Sequence, residues 1–250
     1  MPALSTLVRA ELLKLRTTRV PWVLVIATTA VTVALAVQPI ARAGRGGTPS
    51  LGTAGAALGI LDAMGQAALG ALLMGVLVVT ADFRHRTVAT FLLQAPSRPR
   101  LLAAKVLTAL LLGLGLGLLA LLVVVALGTL SGAWAGGLVN EATALRALGL
   151  LLTYPLYALL GAAVGVLLRG NQPLAVLIPL AWVWGVEPLA LSGLPPSAFG
   201  WSVGGVTAAL QNAGNLSFLL PVWAGGAALV GYALLLLGVG AFQLYRSDIT

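Results

Sequence analysis

The chain has no cysteine. That excludes disulfides, thiol catalysis and thiolate metal sites. It has one histidine, His85, and six acidic residues among 250. A zinc-protease HExxH needs two histidines on one helix, and a serine triad needs one beside its nucleophile. His85 instead lies in a basic stretch, and the GxSxG match at Gly200–Gly204 stands far from it in the sequence, with no other histidine to serve it. Lysine is scarce too. Lys14 follows Leu13 and Lys105 follows Ala104, so neither closes a GxxxxGK(S/T) phosphate loop. The chain therefore offers no site of that kind for ATP, and no cofactor is expected on it. An intramembrane aspartyl enzyme needs two aspartates inside the bilayer, and Asp62 is the sole candidate. Intramembrane catalysis is the least favoured of the functions considered.

What the chain has is apolar length. It is 60% hydrophobic and 8% charged, with a mean hydropathy of +1.05. A soluble domain of this size needs more polar surface. Six apolar runs approach the roughly 20 residues that cross a hydrocarbon core as a helix. They fall near 20–40, 58–81, 101–128, 145–168, 173–191 and 219–245. The runs are continuous rather than alternating, which favours helices over a barrel. The expected fold is all-α: one polytopic membrane bundle over 1–250. The first run exceeds the roughly 7–15 residues of a leader's apolar core, and more spans follow it, so it is read as a span and not a cleaved leader.

The net charge of +8 sits in short segments beside the spans, which favours a membrane over nucleic acid as its cause. With an internal N-terminus, eleven Lys and Arg lie on one side: Arg9, Lys14, Arg16 and Arg19; Arg84, Arg86, Arg98, Arg100 and Lys105; Arg169 and Arg246. Three lie on the other: Arg42, Arg45 and Arg146. Both termini are therefore expected in the cytoplasm.

Residues 3–19 precede the first span. At about 100° per residue, Leu4, Leu7, Val8, Leu12 and Leu15 share one face, as in a helix lying in the membrane interface. Glu11 projects from the middle of that face. A buried carboxylate needs a partner. Arg9, Lys14 and Arg16 are local choices. A cation on the internal loop or on another subunit is the alternative.

The stretch 82–105, DFRHRTVATFLLQAPSRPRLLAAK, holds six of the twenty charged residues. Within it, 87–93 reads as a short amphipathic helix: Val88, Phe91 and Leu92 share a face, Pro96 stops it, and Ser97 and Pro99 start the next helix. The arginines alone need only set topology. An apolar face at Phe91 and Leu92 needs a cover, from a partner or from the lipid interface.

Segment 192–218 is rich in Gly and Pro and has no Lys, Arg, Asp or Glu. It is expected either to pack over the bundle or to form a plain loop. Glycines at spacing four (Gly55/Gly59, Gly113/Gly117, Gly161/Gly165) permit close helix packing within the bundle or across a dimer face. Pro155 and Pro179 are candidate bend points. Asp62, Gln66, Tyr154, Tyr157, Trp182 and Glu187 are a candidate pathway for an amphipathic cation. Alternatively, the acids sit at the water boundary and the aromatics anchor or pack.

The N-terminal ELLKLRTTR, the 82–105 stretch, six spans with internal termini and LPPSAFGWSVGGVTAAL before the last span together resemble the type-2 ATP-binding-cassette (ABC) permease family. The likeness is to its small six-span actinobacterial kind. It covers nearly the whole chain and is most specific in the two cytoplasmic segments. It implies that 82–100 carries a coupling helix, with Asp82, Arg84, Arg86, Phe91 and Leu92 toward an ABC ATPase. Asp82 stands where the family often has Glu, one methylene longer. The N-terminal helix, with Glu11, Lys14 and Arg16, would abut the same subunit. The resemblance further implies two ATPase subunits holding ATP and Mg, a second permease copy, a bacterial cell membrane and export. The alternative from a different class is a membrane protein with a signalling or assembly role that recruits another cytoplasmic partner.

Overall fold

A computed structural model of the protein describes residues 4–84, 98–134, 140–168, 171–193, 195–212 and 217–246. The segment 87–93, with Arg86, Phe91 and Leu92, lies outside them. So do the side chains of Asp82 and Arg84, whose backbone ends a helix.

The described residues are mainly helical, with no strand among them. The helices are α1 (Leu4–Thr17), α2 (Arg19–Arg42), α3 (Ala54–Ala67), α4 (Leu69–Arg84), α5 (Arg98–Leu130), α6 (Glu141–Leu167), α7 (Gln172–Ala181), α8 (Glu187–Leu191), α9 (Pro196–Phe199), α10 (Val203–Leu210) and α11 (Val222–Arg246). Six helical stretches are long and apolar enough to cross a membrane: α2, Ala54–Ala81, Pro99–Leu130, α6, Gln172–Ala190 and Val222–Gln243. The fold is consistent with a multi-pass helical membrane protein.

Local chemistry sets the helix starts. Thr53 caps α3 by accepting from the Ala56 N–H at 3.3 Å, and Asn140 caps α6 through the Thr143 N–H at 2.8 Å. The Ser202 hydroxyl caps α10 at the Gly205 N–H, 3.0 Å away. The second span is broken at Ala68 into α3 and α4. The fifth departs from α geometry at a π turn over Trp182–Val186, closed by the Glu187 N–H on the Trp182 carbonyl. Pro179 lies before this turn and Pro188 after it, and neither brings an N–H to the ladder. Pro155, by contrast, sits inside an α6 that runs unbroken.

The bundle is built around α4 and α6. Of the most apolar window in each span, 72% of Ala54–Ala81 and 67% of α6 is buried, against 17–28% in the other four. Close approach comes from glycine. A Cβ on Gly75 would run into the Ala158 carbonyl of α6, and one on Gly161 into the Leu72 carbonyl of α4. Gly113 faces the Tyr154 carbonyl and Gly117 the Tyr154 ring, seating α5 on α6. So Gly113/Gly117 and Gly161/Gly165 pack inside the bundle. The outer faces carry exposed Leu122, Trp184, Leu189 and Trp223, apolar surface suited to lipid.

Within segment 192–218, residues 203–211 pack over one end of the bundle. Here α10 rests on α11 and α6 and buries Val206, Thr207, Ala209 and Leu210. Gly149 of α6 and Gly225 of α11 let the α10 backbone come close.

Candidate functional site

Two polar clusters mark opposite ends of the bundle. At the first, α1 lies against α5, with Leu15 buried and Leu7, Val8 and Leu12 partly buried. Leu4 stays exposed, so the apolar stripe is covered from its middle onward. Glu11 projects into this contact and is 4% exposed. Its partner is Lys105, the last residue of the basic 82–105 stretch, whose Nζ lies 3.1 Å from Glu11 Oε1. Lys105 also donates to the Val78 carbonyl of α4 at 3.3 Å. One ammonium thus joins α1, α4 and α5 beside the two roots of the 85–97 connection. Lys14 lies near the same carboxylate. Burial lowers its pKa below the ordinary lysine value, Glu11 raises it, and the Lys105 charge lowers it further. Arg16 is exposed, and its carbonyl accepts the Trp22 indole N–H at 3.1 Å, tying α1 to the start of α2.

At the far end, Arg146 near the start of α6 is the hub. Its Nε and Nη2 donate to Asp62 Oδ1 of α3 at 3.0 and 2.5 Å, and its Nη1 donates to the Gln211 carbonyl just after α10 at 2.8 Å. The Gln211 side chain donates to the Thr153 hydroxyl at 3.2 Å. Below it, the Tyr157 hydroxyl pairs with Thr207 at 3.1 Å. Glu187 accepts the Gly204 N–H at 2.6 Å, drawing α8 to α10. These bonds satisfy polar groups that would otherwise be costly in an apolar bundle, and they fasten 203–211 across its end.

The six candidate pathway residues do not converge. Tyr154 is fully buried and donates to the Met64 carbonyl at 3.0 Å, and Tyr157 is buried on Thr207. Glu187 is buried and engaged by Gly204. Trp182 is exposed on the bundle's outside. Asp62 and Gln66 share a cavity of about 310 Å³ between the end of α2 and α3. Arg42 and Gln38 line it as well. One oxygen of the Asp62 carboxylate, Oδ1, already has a cation in Arg146, which leaves Oδ2 toward this space.

Arg146 and Gln211 are the residues that sequence reasoning passed over. In the sequence Arg146 reads as a topology charge, although it is the one Lys or Arg within the fourth apolar run, as Asp62 is the one acid within the second. Among the described residues no three of His, Cys, Asp and Glu come together.

The class that the fold defines is an all-helical bundle with six helices able to cross a membrane. No protein-family model, curated protein or solved structure matches the chain.

Proposed function

We propose that the chain is the membrane-spanning permease subunit of an ABC transporter of the exporter kind, driven by a separate ATPase that holds ATP and Mg. The observation that carries this reading is the Glu11–Lys105–Val78 junction. It joins the N-terminal helix to both roots of the 85–97 connection, so a load applied to either is transmitted to α4 and α5. The sequence adds a basic stretch with an apolar face at Phe91 and Leu92, and no phosphate loop of its own.

In this reading the α1 end faces the cytoplasm of a bacterial cell, and α1 lies in the membrane interface, its exposed Arg9 and Arg16 toward anionic headgroups. Residues 82–100 dock on the ATPase. Two such chains and two ATPases form the working unit, since six spans alone make a thin pathway. ATP closes the ATPase pair, and the coupling segments move with it. The ATPase must bind one arrangement of the bundles more tightly than the other for anything to shift.

The test is co-purification with an ATPase encoded beside this chain, in detergent. Wild type is expected to retain it and the Phe91→Asp, Leu92→Asp double variant to lose it while the bundle stays folded. If the variant binds as well as wild type, docking through this segment is refuted. A non-ATPase protein captured in its place would favour the signalling or assembly reading.

A further inference from the structure

The cavity between α2 and α3 is walled by structure rather than by chance gaps. Its inner wall is the small-residue face of α3, where Gly55, Gly59 and Ala63 recur every fourth position. The Gly55/Gly59 pair thus shapes a hollow, unlike the other two glycine pairs. The outer wall is the 43–53 turn, which takes positive φ at Gly44, Gly46, Gly47 and Gly52. Thr48 holds that turn through its hydroxyl on the Arg42 and Arg45 carbonyls, and Pro49 sits so close over Gly55 that an added Cβ would meet its ring at 3.0 Å, inside van der Waals contact.

The polar groups facing this space carry both signs. Arg42 is exposed and makes no ion pair among the described residues. Asp62 spends Oδ1 on Arg146, and its side chain stays 47% exposed, which leaves Oδ2 as an acceptor held in place by the guanidinium behind it. Gln38 and Gln66 add amides. A simple anion would meet the Asp62 carboxylate, and a simple cation would meet Arg42. A group with both charges satisfies both. Leu35, two turns along α2 from Arg42, gives the cavity an apolar edge, and Val31 and Val37 beside it are exposed on the lipid-facing side.

We infer that this cavity binds a zwitterionic aminoalkyl-phosphate headgroup, its phosphate on Arg42 and the glutamine amides, its ammonium on Asp62, and its chains leaving past Leu35. Phosphate suits a guanidinium that has both hydrogen-bonding edges to offer. The volume is at the lower end of the range for small-ligand sites, about 300–1,000 Å³, and fits a headgroup without its chains. The inference does not depend on the transporter reading. It concerns this chain alone, so it can fail while ATPase docking stands, and the reverse.

The experiment is native mass spectrometry of the delipidated chain titrated with dioleoyl phosphatidylethanolamine, with dioleoyl phosphatidylglycerol as the anion lacking an ammonium. Wild type is expected to retain the ethanolamine lipid preferentially. Arg42→Ala should weaken it about tenfold, the loss of one charge-assisted contact. Gly59→Leu should abolish it by filling the hollow. That position tolerates a Cβ, whose nearest neighbour would be Pro39 at 3.5 Å, and far-ultraviolet circular dichroism checks the fold. Competition by soluble glycerophosphoethanolamine would support the headgroup assignment with a free zwitterion as the source; retention of the lipid without such competition would support it with the bilayer as the source. Equal retention of the two lipids, or undiminished binding by both variants, would overturn the proposal.

Discussion

The Lys105 ammonium lies 3.1 Å from the Glu11 carboxylate, with both side chains at least nine-tenths removed from solvent and 94 residues apart in sequence. Such a pair is weak evidence of stability by itself, because desolvating two charges offsets most of their attraction. Breaking it is a different matter. Glu11→Gln should destabilise the bundle by on the order of 3–5 kcal/mol, since the buried Lys105 ammonium is left without its counterpart, and Lys105→Met should cost less, because Lys14 still lies near the Glu11 carboxylate. Glu11→Met combined with Lys105→Met should recover most of that loss. Reversible unfolding in mixed micelles would measure it. Additive losses in the double variant would mean that the two residues do not act as a pair.

Arg146 makes a second long-range tie, and its effect should be local. Arg146→Gln removes a guanidinium that holds Asp62 and the Gln211 carbonyl together. Hydrogen bonds to charged groups contribute roughly 1.5–3 kcal/mol each. Hydrogen exchange in 203–211 should quicken by at least about tenfold, while 104–124 at the core of α5 is unchanged. Uniform acceleration would show that Arg146 supports the whole bundle rather than the segment packed over its end.

Much of this architecture is legible in the sequence because a bilayer imposes length and apolarity on each span. The six runs lie within a few residues of the helices, and Glu11 stands out as a polar residue on an apolar face. Its choice among several cations was not legible, because only the packing of α1 on α5 brings Lys105 to it. The break at Ala68 leaves no mark in composition. The π turn at Trp182–Val186 was foreshadowed only by Pro179, and a proline three residues away does not specify which ladder bonds change. Asp62 was visible as an anomaly, but its salt bridge to Arg146 depends on α3 and α6 lying side by side. Tyr154 and Tyr157 read either as pathway aromatics or as packing residues; their hydroxyls bond the Met64 carbonyl and Thr207 inside the bundle, partners that only the fold brings to them.

Glycine packing gives a comparison with internal controls. Gly75→Ala and Gly161→Ala place a methyl group against backbone carbonyls of the facing helix, which cannot swing aside. Each should cost about 1–3 kcal/mol or more as α4 and α6 separate. Gly115 and Gly231 have open space where a Cβ would go. Alanine there should be neutral or gain up to about 1 kcal/mol from better helix propensity. Thermal unfolding of the four variants in one detergent decides it. Similar losses at all four positions would mean that helix flexibility, and not close approach, is what these glycines supply.

Lys14 gives the α1 junction a pH signature. Burial holds its pKa below 10.5, so the folded state releases this proton before the unfolded chain does. Below the folded value both states are charged, and the cost of burying the ammonium is present in full. As pH rises between the folded value and 10.5, the unfolded chain binds more protons than the folded one, and stability therefore increases with pH. Lys14→Gln removes this contribution and leaves Glu11 and Lys105 in place. Measured side by side, wild type should gain on Lys14→Gln as pH climbs toward 10.5 and the difference should level off above it. A difference that stays constant with pH would show that Lys14 titrates as it does in the unfolded chain, and that α1 does not bury its ammonium in the folded protein.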